Sequence, residues 1–165
     1  DLPVFERISN GIGYTFQITS IFVNLTVYEN VALAIRKDNS NGEENSVSEV
    51  LSKVGLLDRI EQRSGDLSYG HQRLLELAMG MAQKPKLLIL DEPTQGLSDS
   101  EIENFKKLIK DISSSTTILL IEHNMDVVMS IADNISVLHF GEIIADGDKE
   151  TIQNDPIVQK AYLGD

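Results

Sequence analysis

The sequence predicts an α/β fold with a mostly parallel sheet, and two observations predict it. Leu87 to Leu90 and Thr116 to Ile121 are short apolar or β-rich runs, the pattern of strands buried on both faces of a parallel sheet. The amphipathic stretch from Ser100 to Ile112 lies between them, which makes a strand–helix–strand crossover.

The remaining elements follow in chain order. Gly11 to Gln17 alternates like a strand, and Val23 to Arg36 sets Val27, Val31, Leu33 and Ala34 near helical spacing. Lys37 to Ser46 is polar and carries Asn, Ser and Glu, so it reads as a surface loop. A second helix places Val47, Val50, Leu51 and Val54 on one face and ends at Gly55, where a left-handed cap is expected. A third helix after Asp66 aligns Leu74, Leu77, Ala78 and Met81, and Lys84-Pro85-Lys86 breaks it. Beyond the crossover come a helix around Asp126 to Ala132, strands near Ile135 to Phe140 and Glu142 to Ala145, and a helical tail.

Composition narrows the function classes. The chain of 165 residues is long enough for one domain-sized core. Its net charge of −12 opposes a nucleic-acid partner, because phosphates are repelled by an acidic surface. With no cysteine it has no disulfide and no thiol nucleophile, which fits a reducing compartment such as the cytoplasm. No apolar run approaches the roughly 20 residues of a membrane-spanning helix. The start, Asp-Leu-Pro-Val-Phe-Glu-Arg, has neither a leader pattern nor a methionine and reads as an internal cut.

The chemistry gathers at the end of one strand. Lys86-Leu87-Leu88-Ile89-Leu90-Asp91-Glu92-Pro93 delivers two adjacent carboxylates to a strand's carboxyl end, where open α/β sheets bind their ligands. Successive residues point to opposite sides, so Asp91 is available to a magnesium ion while Glu92 can take a proton from water. Upstream, Leu67-Ser68-Tyr69-Gly70-His71-Gln72-Arg73 opens a helix with Ser68 as N-cap and a glycine close behind, a geometry that admits an anion. Each piece also has an ordinary structural reading. Asp91 and Glu92 could be solvated acids before a proline turn, and Ser68 a cap with no ligand. Gln17 could be a loop residue, His123 a satisfied strand-end histidine and Asp99 merely an N-cap.

Taken in register, the pieces resemble the ABC ATPase family. Thr15-Phe16-Gln17 corresponds to the Q-loop, Leu67 to His71 to the signature, Leu87 to Glu92 to the Walker B strand, Gly96-Leu97-Ser98-Asp99 to the D-loop and His123 to the switch histidine. The resemblance implies a P-loop NTPase-like fold whose amino-terminal part is missing. It divides residues 1–165 into a helical subdomain with the signature motif, about 18–84, and the carboxy-terminal part of the ATPase core, 85–165. It implies ATP and Mg2+ as cofactors. Gln17 would contact metal and attacking water, Asp91 would support magnesium, Glu92 would polarise the water and His123 would bond the γ-phosphate. Ser68 and Gly70, with Asp99 of the D-loop, would serve the nucleotide of a second ATPase subunit packed head to tail. A permease subunit would meet the segment Ile18 to Asn30, placing the protein at the inner face of the cell membrane.

The sequence departs from the family in two respects. Tyr69 and His71 stand where the commonest signature has glycine and glutamine, so His71 is only a secondary candidate contact. The phosphate-cradling loop G-x-x-x-x-G-K-[ST] is absent, for the chain contains no Gly-Lys pair. The expectation is that these residues alone do not hydrolyse ATP. Loss of strands beside Leu87 to Leu90 would also expose apolar faces.

Closer resemblance points to the ATPases that drive uptake of branched-chain amino acids, or of urea and short amides. It rests on Gly11 to Gln17, Asn24 to Asn30, Leu67 to Glu76 and the tail Ala161 to Asp165. The lipopolysaccharide-export ATPases are the alternative transporter class, and a non-catalytic interaction module is the alternative outside it. A long coiled coil of the DNA-repair type has no place in the short stretch between Gln17 and Leu67.

Overall fold

A computed structural model describes residues 3–15, 20–35 and 43–163. They form two compact units, residues 1–122 and 123–165.

In the first unit a short helix α1 (Val4–Ser9) precedes β1 (Ile12–Tyr14). Helices α2 (Val27–Ala34), α3 (Glu43–Lys53) and α4 (Tyr69–Ala82) follow, then β2 (Leu87–Asp91), α5 (Asp99–Ser113) and β3 (Thr117–Ile121). The three strands form one parallel sheet in the order β1-β2-β3, with Gly13 opposite Leu88 and Leu90 opposite Leu120. The expected crossover is present: β2 and β3 are adjacent, parallel and joined by α5.

Helices α2 to α4 share an apolar core in which Val27, Val31, Val47, Leu51, Leu56 and Leu75 are wholly buried. Local chemistry sets the ends of these helices. Thr26 caps α2 with a full capping box, its Oγ1 accepting from Glu29 N at 3.1 Å while the Glu29 carboxylate accepts from Thr26 N at 2.7 Å. Gly55 ends α3 at φ +74, and Leu56 N donates back to Leu51 O at 2.9 Å. That six-to-one bond closes the helix in the way a left-handed glycine permits. Asn30, fully buried, accepts from Phe22 N at 2.8 Å and donates to Ser64 Oγ at 2.8 Å, so it pins the segment before α2 to the turn before α4.

Two expectations are corrected. The polar stretch Lys37 to Ser46 is not all loop, because α3 begins at Glu43; residues 36–42 lie outside the described residues. Acidic residues suit a helix's first turn through its dipole, which is why a polar run can start one. Among the described residues of this unit, moreover, the sheet is covered on one face only. Leu88 and Leu90 are buried, and the Leu88 side chain lies between Gly13 and Gly80, where an added Cβ would approach its Cδ1 to 3.1 and 3.2 Å. On the opposite face Tyr14, Leu119 and Ile121 are 44%, 50% and 44% exposed. Leu87 to Leu90 itself loses no neighbour, since β2 is paired on both sides; the unpaired edges belong to β1 and β3.

The second unit contains α6 (Met125–Ile131), an antiparallel hairpin of β4 (Ile135–His139) and β5 (Glu142–Gly147), α7 (Lys149–Asn154) and α8 (Pro156–Leu163). Phe140 and Gly141 turn the hairpin with φ of +46 and +86, the signs a tight two-residue hairpin requires. Ile135, Ile152 and Val158 form its core, and Asn124 and Asp148 cap α6 and α7 through their side-chain oxygens.

Candidate functional site

The carboxylate pair stands at the carboxyl end of β2. Asp91 is the last residue of the strand, and Glu92 immediately after it takes φ +45, a left-handed conformation that a non-glycine residue adopts at a cost of about 1 kcal/mol or more. The turn is held from both sides. Glu92 N donates to Ile121 O at 2.9 Å, and the carboxylate of Glu122, at the end of β3, accepts from Thr94 N at 2.9 Å and from the buried Thr94 hydroxyl. Those bonds over-determine the strained residue and fix where its side chain leaves the backbone.

Asp91 has a partner. The Tyr14 hydroxyl donates to Asp91 Oδ2 at 3.1 Å, and this bond to the carboxylate, more than desolvation, raises the Tyr14 pKa above its ordinary value. No group of three or more His, Cys, Asp or Glu side chains arranged for a metal occurs among the described residues. One or two carboxylates suit Mg2+ nonetheless, because that ion takes its remaining ligands from substrate phosphates and water.

The signature turn is built against the D-loop. Ser68 caps α4, its Oγ accepting from His71 N at 3.3 Å and lying 2.8 Å from His71 Nδ1. A Cβ on Gly70 would fall 2.0 Å from Glu101 Oε1, so any side chain there would displace the Glu101 carboxylate. Glu101 in turn accepts from Ser98 N at 2.8 Å and Ser98 Oγ at 2.7 Å. These two bonds, the backbone one first, and the nearby His71 lower its pKa. Tyr69, standing where the commonest signature has glycine, is accommodated by a second glycine. Its ring edge lies 2.9 Å from where a Gly96 Cβ would be, and Gly96 has φ +77.

Beneath the turn, Arg73 and Glu76 are buried together on α4, with Nη1 to Oε2 at 3.2 Å. Arg73 Nε donates to the Tyr69 hydroxyl at 3.1 Å and the guanidinium lies 5.3 Å from the Tyr69 ring centre. A cavity of about 120 Å3 opens between Gly70, His71, Glu76, Leu90, Leu97 and Phe105.

Of the residues singled out from the sequence, Asp91 and Glu92 are adjacent, Gly70 and His71 lie against Glu101, Ser68 bonds His71, and Asp99 opens α5. Ser98 rather than Asp99 caps α5. His123 is exposed at the start of the second unit, directly before the α6 cap Asn124. Gln17 lies outside the described residues, as does Ile18 of the expected permease-facing segment. Sequence reasoning missed Tyr14, Glu101 and Glu122. Ser98-x-x-Glu101 is a capping-box pattern that could have flagged Glu101. The Tyr14–Asp91 and Thr94–Glu122 pairs join residues far apart in the chain and leave no local signal.

Comparison with known proteins identifies the family. Residues 4–95 match the ABC transporter family model, and residues 142–165 match that of the branched-chain amino acid ATP-binding cassette transporter. The high-affinity branched-chain amino acid transport ATP-binding protein LivG of Escherichia coli is 36% identical over 99% of the chain and 72% of its own length. BraF of Pseudomonas aeruginosa, of the same description, is 37% identical over the same shares. The lipopolysaccharide export system ATP-binding protein LptB of Haemophilus influenzae is 34% identical over 99% of the chain and 70% of its own length. Among solved structures, an ATP-binding cassette of an ABC transporter superposes with a TM-score of 0.83 at 26% identity, covering 96% of this chain and 71% of that one. The signature turn, the carboxylate-ended strand and these matches place the chain in one family: it belongs to the ABC transporter ATP-binding proteins.

Proposed function

We propose that the protein is the ATP-binding and hydrolysing subunit of an ABC transporter that powers uptake of branched-chain amino acids or similar small polar solutes. The observation that carries this reading is Asp91-Glu92 at the end of β2, with Glu92 held in a strained turn, in a chain similar to LivG and BraF along its whole length. A lipopolysaccharide-export role is the second reading, favoured by the 34% identity to LptB.

Bound Mg2+ would offset charge developing on the transferred phosphoryl group. Asp91, steadied by Tyr14, supports the metal through its remaining oxygen, and Glu92 takes the proton of the attacking water. Gln17 is assigned to metal and water and His123 to the γ-phosphate. Ser68, Gly70 and Asp99 are assigned to the nucleotide of a second subunit packed head to tail. Phe22 and Val23, 55% and 51% exposed on the segment pinned by Asn30, offer the apolar contact for a permease helix. That contact would hold the protein at the inner face of the membrane; among the described residues no helix is long and apolar enough to cross one.

Two assays test the reading. The chain lacks the phosphate loop and therefore most direct phosphate contacts, so on its own it should turn over no ATP above background in a coupled assay. Joined to an upstream segment that carries a phosphate loop, it should hydrolyse ATP, and Glu92→Gln should slow that rate by roughly 10²–10⁴-fold. An unchanged rate would remove Glu92 as general base. If the joined protein is inert, the non-catalytic interaction module replaces the enzyme reading.

A further inference from the structure

The signature turn contains an ionisable group wired to its hydroxyl. His71 Nδ1 is 2.8 Å from Ser68 Oγ, and the same oxygen accepts from His71 N at 3.3 Å. A serine hydroxyl has one proton to give and two lone pairs to offer. When the ring is neutral and Nδ1 is unprotonated, Nδ1 accepts and the Ser68 proton is spent inside the turn. Protonating the ring reverses the bond. Nδ1–H then donates to Oγ, both lone pairs of Oγ are engaged by His71, and the hydroxyl proton is free to point outward.

We propose that His71 is a proton-responsive positioning residue: its protonation turns Ser68 from an internally consumed donor into one that can donate to a phosphate oxygen. The inference rests on the assignment of Ser68 to nucleotide phosphate given above, and it deepens that assignment by naming what controls the hydroxyl.

Two fields act on such a switch: the amino-terminal end of α4 opposes a cation on the ring, and the Glu101 carboxylate supports one. His71 sits in the first turn of α4, where the residue is partly exposed. From α5, the element packed against this turn, the charged group facing it is Glu101, whose pKa is lowered by Ser98 and by His71, so it remains an anion through the range in which an imidazole titrates. On α4 itself the neighbouring charge is Arg73, engaged with Glu76 and Tyr69 one turn below. An anion arriving at Ser68 would meet an imidazolium and a free O–H together, or a neutral ring and a consumed O–H. Binding therefore takes up protons, and phosphate affinity falls as pH rises. A glutamine at this position carries no titratable proton and would remove the dependence.

The test uses the chain joined to a segment that carries a phosphate loop, so that ATP is held at all, with ATP in EDTA as the probe to prevent turnover, followed by nuclear magnetic resonance. Ring nitrogen shifts of His71 should show Nδ1 unprotonated at about pH 8 and protonated at about pH 5.5, and Ser68→Ala should change the tautomer balance of the neutral ring. ATP should shift the Ser68 and Gly70 amide signals, and from about pH 8 to about pH 5.5 its binding should tighten roughly tenfold more in this protein than in His71→Gln. Because ATP itself titrates in this interval, the comparison between the two proteins isolates the ring. A neutral ring carrying its proton on Nδ1, or the same pH profile with and without His71, overturns the inference and leaves Ser68 as a phosphate contact. Absence of any ATP-dependent shift at Ser68 and Gly70 in both proteins overturns the phosphate assignment of Ser68, and the inference with it.

Discussion

The first unit is closed at one end and open at the other. Around α2, α3 and α4 every large aliphatic group of the shared core is at most 8% exposed, and even the polar members, Asn30 and Ser64, are fully buried and bonded to each other. The three-stranded sheet has a covered face, where Leu88 fills the space between Gly13 and Gly80, and an open face of Tyr14, Leu119 and Ile121. The proposed function accounts for the difference. The helical end holds Ser68 and Gly70 in a fixed relation to the D-loop, which needs rigidity. The open face carries the Tyr14–Asp91 pair, which is of use only if something can approach it.

The closed end breaks hardest at its buried charges. Arg73→Met removes the guanidinium that pairs with Glu76 and braces Tyr69, and it leaves a carboxylate 6% exposed without its cation. Breaking a buried pair from one side costs about 3–5 kcal/mol, and urea unfolding followed by circular dichroism should show a loss of that size. A loss under about 1 kcal/mol would mean that Glu76 protonates or finds water, and that the closed end is looser than its packing suggests.

How much of this was legible in advance depends on whether the cause was local. The α3 face of Val47, Val50, Leu51 and Val54, its Gly55 stop and the Ser68 cap all follow from periodicity and end chemistry within a few residues, and all are present. The β2–α5–β3 crossover was legible for the same reason. The stripe read on α4 was too narrow: Leu75, which lies off it, is wholly buried, and Arg73 and Glu76 are buried too, because α4 is packed against α2, α3 and the sheet at once. Burial on several sides erases the polar–apolar period on which such a reading depends. At the candidate site, Asp91, Glu92, Ser68 and Gly70 were legible as residue types at set spacings. Their supports, Tyr14, Glu122 and Glu101, come from other strands and helices and become visible only once those elements meet. The open face was misread for a further reason. Thr116 to Ile121 is apolar enough for burial on both sides, yet a sequence run records only what a strand tolerates and says nothing of which neighbours are there to cover it.

Leu119 gives the gentlest test of the comparison, since it sits mid-strand in β3 at 50% exposure, between Ile118 and Leu120 that point to the covered side. Leu119→Ser removes apolar area already half in water, so it should lower stability by about 1 kcal/mol. It should also reduce binding of a hydrophobic dye to the folded chain, because it interrupts the patch formed with Tyr14 and Ile121. The same replacement at Leu88, which is wholly buried on the other face, would remove a packed side chain and carry a core-sized cost of about 2–5 kcal/mol. Unfolding curves for the two variants therefore measure the two faces against each other. Equal losses would mean that the face bearing Tyr14 and Asp91 is covered in solution, and access to Asp91 would then require that cover to move.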